Sequence, residues 1–144
     1  MITEDYVSFE TAKLLNEKGF ESDECIAIYD LGYNNAFIRD SGIFDNGPED
    51  FLEFQWGEEW KRFGYYLAPT LQMAMKWLRK EHNIVITTDY ANICGLGFTY
   101  AASVIKINNS GKIEEGDWLN VCLYKNSYEQ VCEAAIKYCL ENLI

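Results

Sequence analysis

The sequence has little of several residue types on which common functional sites depend. Of its 144 residues one is histidine and two are proline, and the five cysteines include no C-x-x-C pair. A metal site built from several histidines is therefore excluded, and the cysteine spacing predicts neither a zinc knuckle nor a disulfide framework. We expect buried free thiols, with no metal and no cofactor.

Long apolar runs are also missing. No stretch approaches the roughly 18 apolar residues that a membrane-spanning helix requires. The first ten residues, MITEDYVSFE, contain neither a basic segment nor an apolar run, so they do not resemble a secretory signal. These features predict a cytoplasmic protein that does not associate with a membrane.

Basic residues are few, at 12 against 23 acidic ones, and the formal net charge is −11. Residues 1–59 contain 15 acidic and three basic residues, whereas residues 60–144 contain eight acidic and nine basic residues. Because phosphate binding depends on clustered Lys and Arg, direct nucleic-acid binding is disfavoured. The charge favours a basic protein or peptide as partner, and it leaves the oligomeric state open, with a homodimer among the options.

Three segments have the apolar spacing of amphipathic helices, and each opens on a hydroxyl residue that can cap a helix, namely Ser8, Thr70 or Ser127. Because Pro69 suits the first position of a helix, the middle helix could equally be capped by Ala68. Gly19 is placed to end the first helix in the left-handed conformation. The spacing in the middle helix predicts four buried residues: Leu71, Ala74, Met75 and Leu78.

Between these helices the apolar period falls to two, which predicts strands at residues 25–31, 35–39, 83–88, 98–107 and 118–124. Residues 95–100, GLGFTY, begin like a dinucleotide-binding loop, but a strand follows instead of a helix, so a turn is favoured. We expect one α+β domain over residues 1–144, with a mainly antiparallel sheet and about three helices packed on it. The predicted order is α-β-β-(aromatic and acidic segment)-α-β-β-β-α.

The aromatic and acidic segment, residues 48–67, is the most unusual part of the sequence. Seven aromatic rings lie between residues 49 and 66 beside five acidic residues. Alternation at Leu52, Phe54 and Trp56 favours a strand or loop, although Pro48 would also suit the start of a helix. The rings either cover the open side of the sheet or form an acidic, aromatic recognition surface. That surface would contain Trp56, Glu58, Glu59, Trp60, Tyr65 and Tyr66.

Three blocks of the sequence, DYVSFETAKLLNEKGF (5–20), APTLQMAMKWLRKEHNI (68–84) and YEQVCEAAIKYCLENLI (128–144), carry a resemblance to a known group. They resemble small uncharacterised proteins encoded by phages and prophages of Bacteroides-type gut bacteria. This resemblance implies a setting in the cytoplasm of a bacterial host and implies no activity. Lys80 departs from the group, which usually has an acidic residue at that position.

No catalytic residues are predicted. His82 falls at the end of the middle helix, where the helix dipole would favour a charged imidazole, and no nucleophile motif accompanies it. We therefore expect a non-enzymatic protein-binding or regulatory module. Two alternatives stay open: a mimic of DNA that inhibits a nucleic-acid-binding defence protein, and a small enzyme that uses carboxylates or His82.

Overall fold

A computed structural model of the chain describes residues 5–22, 24–25, 27–30, 37–40, 65–107 and 119–144. The chain divides into two compact units, Met1–Thr70 and Leu71–Ile144, which we call unit 1 and unit 2. The expectation of a single domain over residues 1–144 stays a prediction. No helix in the described ranges is long and apolar enough to cross a membrane.

Unit 1 contains one helix and a three-stranded antiparallel sheet within its described residues. The elements are α1 (Phe9–Glu17), β1 (Ala27–Asp30), β2 (Phe37–Asp40) and β3 (Tyr66–Leu67). The strand order is β2-β1-β3, with Ala27 opposite Asp40 and Ile28 opposite Leu67. Helix α1 packs on β3.

Both ends of α1 form as the sequence predicts. The Ser8 side chain accepts a hydrogen bond from a backbone N–H of the first turn. At the other end Gly19 has a φ of +87°, and its N–H donates to the Asn16 carbonyl. The next N–H, of Phe20, donates to the Leu15 carbonyl, which completes a Schellman motif. The predicted cap and stop are therefore confirmed.

Asn16 closes the outer edge of β3. Its side-chain amide donates to the Leu67 carbonyl at 3.2 Å, and its oxygen accepts from the Leu67 N–H at 3.4 Å. A second hydrogen bond, 2.7 Å long, joins the amide to the Ala12 carbonyl within α1. The side chain thus replaces a neighbouring strand and satisfies both main-chain groups of a buried residue.

Unit 2 contains two helices and a second three-stranded antiparallel sheet within its described residues. The elements are α2 (Leu71–His82), β4 (Ile84–Ile93), β5 (Gly97–Lys106), β6 (Leu119–Lys125) and α3 (Tyr128–Asn142). The strand order is β4-β5-β6. The α+β class, the antiparallel pairing and the element order are those that the sequence predicts. Because α2 begins at Leu71, Pro69 precedes the helix, and the alternative cap at Ala68 is wrong.

The core of unit 2 lies between the helices and one face of the sheet. Helix α3 packs on all three strands and on α2, and α2 packs on β4. The four residues predicted to be buried in α2 are buried. The other buried core residues of this unit are Ile84, Ile86, Ala102, Val104, Val131, Cys132, Ala135, Ile136, Cys139 and Leu140.

The β4–β5 hairpin is longer than the sequence predicts, because β4 continues past residue 88 to Ile93. The Leu96 N–H donates to the Ile93 carbonyl at 2.9 Å, which closes a tight turn. Gly95 and Gly97 have φ values of +85° and +73°, a conformation that favours glycine. The prediction that residues 95–100 contain a turn is confirmed, although the turn joins strands that are ten residues long.

Candidate functional site

Most of the predicted recognition surface lies outside the described residues. This applies to Trp56, Glu58, Glu59 and Trp60, and to all of residues 48–64. Tyr65 and Tyr66 are described, and both are half-buried. The acidic, aromatic surface therefore stays a prediction, and only its C-terminal end can be placed.

Tyr66 joins an aromatic cluster inside unit 1. Phe9 contacts Tyr29 with ring centroids 5.6 Å apart and Tyr66 with centroids 5.7 Å apart, both edge to face. Tyr29 is 8% exposed, and its hydroxyl donates to the Val7 carbonyl. We call Phe9, Tyr29 and Tyr66 the unit 1 cluster. Tyr29 has a buried ring and a hydrogen-bonded hydroxyl, and Phe9 and Tyr66 are half-buried, so this cluster packs at the edge of the core.

A second aromatic cluster lies on the sheet of unit 2, and two of its three rings are exposed to solvent. Tyr90 on β4 stands directly opposite Tyr100 on β5, with ring centroids 4.7 Å apart. Phe98 stacks on Tyr90 at a centroid distance of 5.7 Å and an interplanar angle of 24°. Tyr90 is 57% exposed and Phe98 is 67% exposed. We call Tyr90, Phe98 and Tyr100 the ring surface.

The ring surface continues the face of the sheet that forms the core. Side chains alternate along a strand, so Tyr90 points to the same face as the buried Ile84 and Ile86. A ten-residue strand is about 33 Å long, whereas α2 and α3, with 12 and 15 residues, are about 18 and 22 Å long. The helices are too short to follow the hairpin to its tip, which leaves the distal half of this face uncovered by them.

The groups that flank the rings are polar and carry one positive charge. Lys125 on β6 is opposite Tyr100, and Asn92 on β4 is opposite Phe98. Both residues are exposed. None of the strand positions that share this face is occupied by a carboxylate. The surface therefore offers aromatic rings together with amide, hydroxyl and ammonium donors.

The opposite face of the same sheet differs in composition. Tyr124 on β6 lies there, opposite Ala101, and is 42% exposed. Cys122 shares that face, and its sulfur is 3.6 Å from the Ser103 hydroxyl oxygen. Because Tyr124 is an exposed ring outside the ring surface, it provides a matched control for substitutions within it.

The cysteines do not all follow the expectation of buried thiols. Cys25, Cys132 and Cys139 are buried, whereas Cys94 and Cys122 are exposed. Burial raises the pKa of the Cys25 thiol to about 11 and that of Cys139 to about 12, which makes both poor nucleophiles. The expectation is wrong for the other two, because Cys94 lies in the hairpin turn and Cys122 lies on a face of β6 that is open to solvent.

His82 is the last residue of α2, as expected, but its charged form is not favoured. Burial is the main cause that lowers the pKa of its imidazole. The positive charge of Lys106 lowers this pKa further, and the negative charge of Glu81 opposes the change. Its ring packs against that of Trp77, with the ring centroids 4.6 Å apart. Its Nε2 is buried with no hydrogen-bond partner in the described structure. The stabilising effect of the helix dipole is therefore outweighed at this position.

Within the described ranges, no three His, Cys, Asp or Glu side chains are grouped so that they could hold a metal ion. The ring surface is accordingly the candidate site of unit 2. The sequence contains a signal for this site. Tyr90 and Asn92 stand two residues apart before the glycine-rich turn, as Phe98 and Tyr100 do after it, and residues two apart on a strand share one face of the sheet.

Comparisons with known proteins gave no relative. No known family model, no curated protein and no solved structure matches this chain. The resemblance to phage-encoded proteins and the two alternative functions stay predictions.

Proposed function

We propose that this chain is a binding module that docks a partner protein through the ring surface of unit 2. The observation that carries the proposal is the pair of stacked rings, Tyr90 and Phe98, both of which are more than half exposed. Aromatic residues, with tyrosine and tryptophan foremost, contribute much of the energy at protein interfaces. Two adjacent exposed rings on a regular sheet are a suitable anchor for such an interface.

The rigidity of the hairpin supports this role. Tyr90 and Phe98 are held on strands that pair at every position from Ile84 to Ile93. A ring whose position is fixed before binding loses less conformational entropy when the partner docks.

The test begins with affinity capture from a lysate of the organism that carries the gene, followed by purification of the captured protein. The affinity of this partner is then measured by calorimetry for the wild type, for the double variant Tyr90→Ala plus Phe98→Ala, and for Tyr124→Ala. We expect the double variant to bind roughly tenfold or more weakly, as hot-spot truncation does, and Tyr124→Ala to bind like the wild type. Equal affinities for all three proteins would refute the proposal.

A further inference from the structure

The edge of the hairpin is less suited to binding than its face. The Ile107 N–H donates to the Asn83 carbonyl, and in this register Asn83 and Ile107 are partners. Odd-numbered β4 residues therefore form the hydrogen-bonded pairs, and the N–H of Tyr90 points away from β5. The Asp89 carboxylate accepts this N–H at 2.8 Å. A strand added at the edge of β4 would have to displace that carboxylate, so a ligand is better placed on the face.

The area of the surface fits a short ligand. Tyr90 and Phe98 are 57% and 67% exposed, and for side chains of this size the exposed area totals roughly 250 Å². Each partner in a standard protein interface contributes about 800 Å². The two exposed rings therefore supply about a third of the area that a stable dimer needs from one subunit, and a second copy of the chain is the weaker candidate.

The chemistry of the ring surface further limits the class of ligand that it can bind. Single-stranded nucleic acid also stacks on exposed rings, but it needs a positive groove. Lys125 is the one cation beside the rings among the described strand residues, and the whole chain has a net charge of −11. The Lys125 ammonium has three donors and no acceptor, and the Asn92 amide adds two N–H donors beside its carbonyl oxygen, so donors outnumber acceptors and suit a ligand that is rich in acceptors.

A proline-rich peptide has these properties. In the polyproline II conformation the backbone makes no internal hydrogen bonds, so its carbonyl oxygens are free to accept. Proline has no N–H, so such a ligand presents many acceptors and few donors. One turn of this helix is about 9 Å long, and the ring centroids of Tyr90 and Phe98 are 5.7 Å apart. Both rings therefore lie within the span of one turn of the peptide.

We propose that the ring surface binds a proline-rich peptide in the polyproline II conformation. This inference rests on the proposed function and names the chemistry of the segment that the partner presents. The pyrrolidine rings stack on Tyr90 and Phe98, while Asn92 and Lys125 donate to the peptide carbonyls. The peptide pays little conformational entropy on binding, because its extended helix exists before it binds.

The probe that tests this inference is an acetylated and amidated proline decamer, titrated into the full-length ¹⁵N-labelled chain and followed by NMR. We expect saturable shifts centred on Tyr90, Phe98, Tyr100 and Lys125. The double variant Tyr90→Ala plus Phe98→Ala should weaken binding roughly tenfold or more, with Tyr124→Ala close to the wild type. A glycine and serine decamer of equal length, which is a flexible coil, should produce no saturable shifts.

Several outcomes would overturn the inference. These are the absence of saturable shifts with the proline decamer, shifts located elsewhere, or equal binding by the double variant. Saturable binding of a thymidine decamer or of a soluble cellulose oligosaccharide to the same rings, in place of the peptide, would also overturn it. If the double variant loses its dispersed spectrum, the single variant Phe98→Ala replaces it. A captured partner that depends on the rings but lacks a proline-rich segment would refute this inference and leave the proposed function intact.

Discussion

The two aromatic clusters of this chain both lie on three-stranded antiparallel sheets, yet one is closed and the other is open. In the unit 1 cluster Tyr29 is 8% exposed and its hydroxyl donates to the Val7 carbonyl. In the ring surface of unit 2 Phe98 is 67% exposed and stacks on the exposed Tyr90. Similar residues on similar strands therefore have different environments, and the elements that cover them decide the difference.

The difference in exposure follows from how much of each sheet the helices cover. Phe9, the first residue of α1, packs its ring against both tyrosines of the unit 1 cluster. In unit 2 the hairpin is about 33 Å long, and neither helix exceeds about 22 Å. A face that is core at Ile86 has therefore become solvent-exposed by Tyr90. Rings at the covered end contribute to stability, and rings at the open end remain available for binding.

The largest expected effect comes from truncating one tyrosine in each cluster. Tyr29→Ala should lower the free energy of unfolding of unit 1 by about 3–5 kcal/mol, because it leaves a cavity in the core. Tyr90→Ala should lower that of unit 2 by about 1 kcal/mol or less, the value of an exposed cross-strand aromatic pair. Urea unfolding followed by NMR resonances of each unit measures both values. Equal losses would show that the ring surface has a structural role, and the comparison would fail.

A smaller effect is expected at the edge of β3. Asn16→Ala leaves the N–H and the carbonyl of Leu67, a residue that is 1% exposed, without their side-chain partner. Leaving such groups unpaired should cost about 2–3 kcal/mol, and hydrogen exchange at the Leu67 amide should accelerate. The matched control is Asn142→Ala, whose exposed side chain makes one hydrogen bond, to Tyr138, and whose loss should change stability by about 0.5 kcal/mol or less. Unchanged exchange at Leu67 would contradict the role of Asn16 as a substitute strand.

Local signals were sufficient to predict the helices and most strands. Ser8, Ser127 and Gly19 act through their own backbone neighbours, so the sequence around each one contains the whole interaction. The end of β4 was missed because residues 89–93 include Asp and Asn, which are depleted in strands. Their pairing with β5 becomes visible only through the turn at Gly95 and Gly97.

The candidate site could be predicted from the sequence only in part. Exposure of Tyr90 depends on where α2 and α3 end relative to the hairpin, and that is a tertiary relation that no local pattern contains. The position of Asn16 at the edge of β3 is a second tertiary relation of this kind, since its hydrogen-bond partner Leu67 is 51 residues away in the sequence. Residues 49–64 are rich in aromatic rings, but the number of rings does not distinguish a covered ring from an open one.

The smallest expected effect is on the pH dependence of stability. It concerns only the covered half of the unit 2 sheet. His82, the one histidine of the sequence, lies at the covered end, and burial lowers the pKa of its imidazole below the ordinary value of 6.5. The unfolded chain therefore takes up a proton before the folded one as the pH falls. Stability from the neutral imidazole is fully present above pH 6.5 and decreases as the pH falls through and below that value.

The variant His82→Gln isolates this contribution from that of the carboxylates. Urea midpoints measured at pH 7.5 and at pH 5.5 should fall further for the wild type than for the variant, since glutamine takes up no proton. Binding at the ring surface should change little between the two pH values, because no histidine lies in the open half of the hairpin. If His82→Gln retained the full wild-type pH dependence, the buried imidazole would not be its source, and the acidic side chains would account for it.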